Sequence, residues 1–174
     1  VIRNGQVADG TGKKLFAELD CSLCHEGGSG PDLSAHGSKL RPEWTLAYLS
    51  KPHRVRFKEG GGRPAARMPD FHLTPAEAAD LTAYLDSRRA PGRFPIMDES
   101  LPDGRLAMLG KQLTERLDCT KCHQVGARGT SRGPDLTRVG ARLRRGYIVA
   151  LLREPARVLP GSPMKDLGLT AAEA

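Results

Sequence analysis

Apolar residues in this chain recur at helical spacing, in short runs cut off by proline and glycine. Leu15 and Leu19 stand four apart, as do Leu113 and Leu117, so Lys13 to Leu19 and Lys111 to Leu117 each predict a helix with one apolar face. Residues 42–50 and 147–153 predict two more short helices. Each stops before a proline, Pro52 or Pro155, whose ring keeps the preceding residue out of the helical region. Thr74-Pro75-Ala76-Glu77 reads as a helix start. Threonine caps the free N–H groups, proline at the first position needs no donor, and glutamate at the third reaches back. That helix continues through Leu81, Tyr84 and Leu85. No stretch alternates as a strand does, so the predicted class is all-α.

The pattern occurs twice. Leu-Asp-Cys-Ser-Leu-Cys-His at 19–25 returns as Leu-Asp-Cys-Thr-Lys-Cys-His at 117–123. Gly12-Lys13-Lys14-Leu15 precedes the first cysteine by nine residues, and Gly110-Lys111-Gln112-Leu113 precedes the second copy's by nine. Gly30-Pro31-Asp32-Leu33 matches Gly133-Pro134-Asp135-Leu136, and the run from Trp44 to Pro52 matches that from Tyr147 to Pro155. Met68-Pro-Asp-Phe-His-Leu-Thr74 matches Met164-Lys-Asp-Leu-Gly-Leu-Thr170. Five landmarks in one order indicate tandem duplication. The expected organisation is a first domain over 1–92, a linker rich in proline and glycine over 93–104, and a second domain over 105–174. The closing helix of the second copy has only begun, at Thr170 to Glu173, where the sequence ends, and is expected to be incomplete.

Composition adds a shortage of core. Of 174 residues, one is Trp, three are Tyr and four are Phe, which is little for two small domains. A large apolar cofactor inside each would remove the shortage. The formal charge is +7, from 27 basic and 20 acidic side chains, and both halves share it. No interleaving of aromatic and basic residues suggests nucleic acid. No apolar run approaches the ~18 residues of a membrane span. The first residue is Val, which reads as a processed or excised start and leaves export open.

All four cysteines fall in the two repeated motifs, Cys21 and Cys24, Cys119 and Cys122. Two such pairs can supply a zinc site, but 94 residues separate Cys24 from Cys119 and each pair belongs to its own repeat. A redox dithiol is expected in a βαβ context, which is missing. Covalent haem fits the spacing. Cysteines three apart on a helical turn face the same way and can bond the two vinyl groups of one porphyrin, with the next residue, His25 or His123, set beneath the iron.

With these motifs in tandem, the chain resembles the class I cytochrome c family over nearly its whole length. The resemblance implies two cytochrome c domains, each a few helices around one covalent haem c. It makes His25 and His123 the proximal iron ligands, and Met68 and Met164 the distal ones. It also makes the Pro31 and Pro134 carbonyls the acceptors of the proximal imidazole N–H. A soft thioether suits a high-potential iron. Met164 has a weaker context, since Lys165 and Leu167 replace the proline and aromatic residue that follow Met68, so the second distal ligand is expected to be the more labile. Met97 and Met108 lack the repeat context and read as core filler. His36, His53 and His72 do not recur and read as exposed polar positions. Arginines crowd the landmarks at 41, 54, 56, 67, 144, 145 and 157; Arg56, Arg67 and Arg157, with the Trp44 indole, are the expected partners of the haem propionates.

An iron closed by His and Met has no open position for substrate. The expectation is therefore electron transfer between redox proteins rather than catalysis, with no catalytic residue. The partner is expected to present an acidic docking surface to this basic chain. The alternative is a dihaem enzyme, peroxidase-like or thiosulfate-oxidising, with an open or unusually ligated second haem. The resemblance further implies a place in the periplasm or on the outer face of the cytoplasmic membrane. The chain is either a free carrier or a segment fused or bound to a larger oxidoreductase.

Overall fold

The computed structural model describes residues 10–28, 30–53, 68–100, 104–170 and 173. It is mostly helical, and the chain divides at Pro91 and Gly92 into two compact units.

In the first unit α1 spans Thr11–Glu18, α2 Cys21–His25, α3 His36–Lys39, α4 Pro42–Ser50 and α5 Pro75–Ser87. Helix α5 starts as its sequence predicts. The Glu77 N–H donates to the Thr74 hydroxyl at 3.3 Å, and the Glu77 carboxylate accepts from the Thr74 N–H at 2.7 Å. Helices α1 and α4 both pack on α5. Phe16, Leu49, Ala78, Leu81 and Leu85 form the buried centre, and each large apolar side chain removed from water there contributes about 1.5–3 kcal/mol. Phe16 meets Tyr84 with ring centroids 5.4 Å apart. The helices cross closely because Gly12 has no side chain: a Cβ there would lie 2.1 Å from the Asp80 carbonyl oxygen. Gly37 of α3 does the same under the end of α5, where a Cβ would lie 1.9 Å from the Asp86 carbonyl oxygen.

In the second unit α6 spans Gly104–Arg116, and a 3-10 turn covers Cys119–Lys121. Two-residue strands β1 (Gln124–Val125) and β2 (Arg128–Gly129) pair antiparallel. Helices α7 (Val139–Arg142), α8 (Arg145–Arg153) and α9 (Pro155–Val158) follow. The hairpin was not legible as alternation, because strands of two residues carry no period. Among the described residues α6 buries no side chain, and Leu106, Met108 and Leu109 are exposed.

The segment read as a linker does more than connect. Its described part belongs to the second unit, where the Phe94 ring stands edge-on to Tyr147 at 5.2 Å and the Glu99 carboxylate accepts the Arg145 N–H at 3.1 Å. Gly146 makes room for it, since a Cβ would lie 1.9 Å from the Pro95 carbonyl oxygen. Three side-chain expectations change. Met97 and Met108 are exposed among the described residues rather than core filler. His36 is buried rather than exposed, its Nε2 2.9 Å from the Thr45 hydroxyl, and so joins α3 to α4. His53 and His72 are exposed, as expected.

Candidate haem-attachment sites

Each Leu-Asp-Cys junction turns the chain sharply from an apolar helix into the cysteine motif. Asp20 has φ 51° and Asp118 φ 55°, the left-handed region that a short polar side chain tolerates better than most. Cys21, Cys24 and His25 then share the short helix α2, while Cys119 opens the 3-10 turn and the His123 N–H donates back to its carbonyl at 2.9 Å. No disulfide joins the four cysteines. Burial pushes the Cys21 and Cys119 thiols above their ordinary value, so they carry protons near neutrality.

The histidines are held identically. The His25 Nδ1 lies 2.8 Å from the Pro31 carbonyl oxygen, and the His123 Nδ1 lies 2.8 Å from that of Pro134. A carbonyl only accepts, so each Nδ1 carries the proton and each Nε2 keeps its lone pair for a metal. Glycine before each proline lets the turn close on the ring. A Cβ at Gly30 would come within 2.8 Å of the His25 Nδ1, and one at Gly133 within 2.7 Å of the His123 Cε1. Asp32 and Asp135 fasten the turn beyond, accepting the Ser34 N–H at 2.8 Å and the Thr137 N–H at 2.7 Å.

The two methionine loops match as well. Met68 is half-buried and packs, with Cys21 and Leu33, against the apolar centre of the first unit. Met164 is half-buried in the second. Two residues on, Asp70 accepts the His72 N–H at 2.9 Å and Asp166 accepts the Gly168 N–H at 2.9 Å. His72 (φ 53°) and Gly168 (φ 61°) both stand left-handed, which explains the exchange of these two residue types. Thr170 donates to the Glu173 carboxylate just as Thr74 donates to Glu77. The lysine and leucine after Met164 therefore leave the loop geometry unchanged.

The propionate assignments divide. Arg56 and Arg67 lie outside the described residues. Arg157 is exposed, and its Nε donates to Glu154. Trp44 is half-buried and stacks on Tyr48, with centroids 4.9 Å apart. Sequence reasoning missed Arg88. Its Nε donates to the Leu33 carbonyl at 3.2 Å and its Nη1 to the Tyr84 hydroxyl at 2.7 Å, and its guanidinium pairs with Glu26 at 3.6 Å. It thereby clamps the loop after His25 to α5. None of the five repeated landmarks includes it, so the repeat gave no signal for it.

Among the described residues no three His, Cys, Asp or Glu side chains form a metal-binding cluster. What each unit does offer is a pair of thiols, an imidazole with an oriented Nε2 and a thioether. That donor set fits haem c.

Comparison with known proteins agrees. The cytochrome c oxidase subunit 2 of Alkalihalophilus pseudofirmus is 29% identical over 109 residues, a match covering 58% of this chain and 30% of that protein. No solved structure matches significantly. The cytochrome c family profile matches twice, over residues 10–89 and 107–172. Thus two segments that hold their histidines and methionines in the same way each match one family, and the chain belongs to the cytochrome c family of haem-binding electron-transfer proteins.

Proposed function

We propose that this chain carries two covalent haems c and passes single electrons between redox proteins. Cys21 and Cys24 would hold the first haem by thioether bonds and Cys119 and Cys122 the second. His25 and Met68 would close one iron, His123 and Met164 the other. When bound, the haem supplies reversible one-electron exchange at iron. The protein's own part is positional. The Pro31 and Pro134 carbonyls fix the imidazole tautomer and increase its basicity. The Asp70 and Asp166 turns set the methionines.

The observation that carries the reading is the paired 2.8 Å contact between His Nδ1 and Pro carbonyl, made in both units across loops of different length. Attachment of haem c follows export, so the chain would work in the periplasm or on the outer face of the cytoplasmic membrane. Among the described residues no helix is long and apolar enough to cross a membrane. The likeness to an oxidase subunit favours a role as the cytochrome segment of a larger oxidoreductase over a free carrier.

Mass spectrometry of the denatured protein tests the stoichiometry: the polypeptide plus two haem masses is expected, and haem removed by acid-acetone would overturn the proposal. The visible spectrum tests the ligands. Two closed irons give the sulfur-to-iron band of the ferric state and no high-spin features. High-spin features and ready carbon monoxide binding on reduction would instead indicate the dihaem enzyme. Met68→Ala should open an iron that Met164→Ala leaves closed, and the reverse.

A further inference from the structure

The two attachment turns differ in length and in charge. From the histidine to the carbonyl that holds it there are six residues in the first unit and eleven in the second. The extra length, 11 − 6 = 5, accompanies the β1–β2 hairpin. The hairpin is fastened to the site on both sides. The Thr130 N–H donates to the His123 carbonyl at 3.4 Å, and the Thr130 hydroxyl to the Lys121 carbonyl at 2.9 Å. The Gly126 N–H donates to the Thr137 hydroxyl at 2.8 Å, and the Leu136 N–H to the Gln124 carbonyl at 2.9 Å. Gly129 has φ 104° and lies so close to His123 that a Cβ would stand 2.0 Å from its carbonyl oxygen. The insertion is therefore part of the attachment turn, built onto it.

It also carries charge. Residues 119–134, from the first cysteine to the proline, hold three basic side chains and no acidic one, a net of +3. The corresponding residues 21–31 of the first unit hold no basic and one acidic side chain, a net of −1. Lys121, Arg128 and Arg132, on the turn and hairpin, are exposed, and Lys121 is partly offset by Asp118. At the first turn the exposed side chain in the place of Lys121 is Leu23, and the local charge is Glu26, already paired with Arg88.

We infer that the attachment turn and hairpin of the second unit form the docking surface for an acidic redox protein, so that the chain exchanges electrons with that partner through its second haem. This rests on the haem reading above. Electron exchange requires two centres to approach closely, so charge placed on the attachment turn steers where charge elsewhere does not. A run of cations is ordinarily only a solvated face. Here Lys121 lies within the attachment motif and Arg128 and Arg132 on the insertion bonded to it, and residues 21–31 of the homologous turn hold no cation. A lipid surface fits less well, because the hairpin tip, Gly126-Ala127, offers no bulky apolar side chain to insert.

The test uses the holoprotein on a gold electrode coated with a carboxylate-terminated monolayer, which stands in for an acidic protein face. The variant K121E/R128E/R132E is compared with K13E/K14E/K51E, which makes the same charge change at exposed lysines of the first unit. At low salt the first variant should lose at least about 10-fold in interfacial electron-exchange rate while the second stays near the parent. The gap should close at about 1 M salt, where screening acts within ~3 Å. Equal losses in both variants, or none in either, would overturn the inference. So would binding of the parent to phosphatidylserine vesicles that only the first variant loses, which would assign the surface to a membrane. Haem masses measured on the same samples separate the two failures: a missing haem defeats the functional reading, whereas two haems with unchanged kinetics defeat only the docking surface.

Discussion

The two units hold their candidate ligands alike and build their interiors differently. In the first, α5 covers α1, and Phe16, Leu81 and Leu85 are shut from water between them. In the second, α6 buries no side chain among the described residues, and the buried positions gather instead at Gly146, Ala150, Pro155 and Val158 on α8 and α9. Yet the histidine contact is 2.8 Å in both, and both methionine loops turn on an aspartate. Site geometry is thus shared by two units whose described interiors differ. The site is made by hydrogen bonds between near neighbours, which survive whatever the helices around them do.

The largest test of this contrast is Phe16→Ala, which should cost about 3–5 kcal/mol in the first unit, as losses of buried aromatic side chains do. Its counterpart Thr114→Ala should change stability by no more than about 0.5 kcal/mol, since Thr114 only donates to the Gly110 carbonyl on an exposed helix. Thermal unfolding followed by circular dichroism reads both. Comparable costs would mean that α6 is covered in solution after all.

A sharper pair differs in sign. At Gly12→Ala the new methyl would meet the Asp80 carbonyl and Tyr84, forcing α1 from α5 at a cost of about 1–3 kcal/mol. At the equivalent Gly110→Ala nothing lies within 4 Å, so the helix should gain about 0.5–1 kcal/mol from reduced chain freedom. Two losses, or two gains, would remove the distinction.

Helix capping gives a smaller effect. Thr74→Ala removes the N-cap of α5 and should cost about 1 kcal/mol, measured by the denaturant midpoint. The smallest effect is in pH. The Thr74 hydroxyl and N–H hold the Glu77 carboxyl below the ordinary 4.5, so its folded value is the lower one. The stabilisation is complete above 4.5 and is lost as the pH falls through the folded value. In the second unit the Arg116 guanidinium, with Thr170, holds Glu173 at about 2, so that contribution should persist to lower pH than the first unit's. Acid titrations of Glu77→Gln and Glu173→Gln should each flatten only their own part of the acid limb; parallel curves would show that neither pairing survives in solution.

Much of this was written locally. The helix over 42–50 and the capping of α5 follow from periodicity and proline placement. The arrangement of each histidine, its glycine and its proline lies within a sequence separation of eleven residues, and the family resemblance already implied it. Tertiary structure decided what depends on which segment arrives from afar. Arg88 reaches Leu33 across 55 residues, Gly37 lies under Asp86, and His36 is buried with its Nε2 on Thr45 of the next helix. The use of residues 94–99 to cover α8 belongs to the same class. A hydrogen bond to a near neighbour is fixed by the two residues that make it, whereas burial is fixed by the partner that covers them, and no single stretch of sequence contains both sides of that contact.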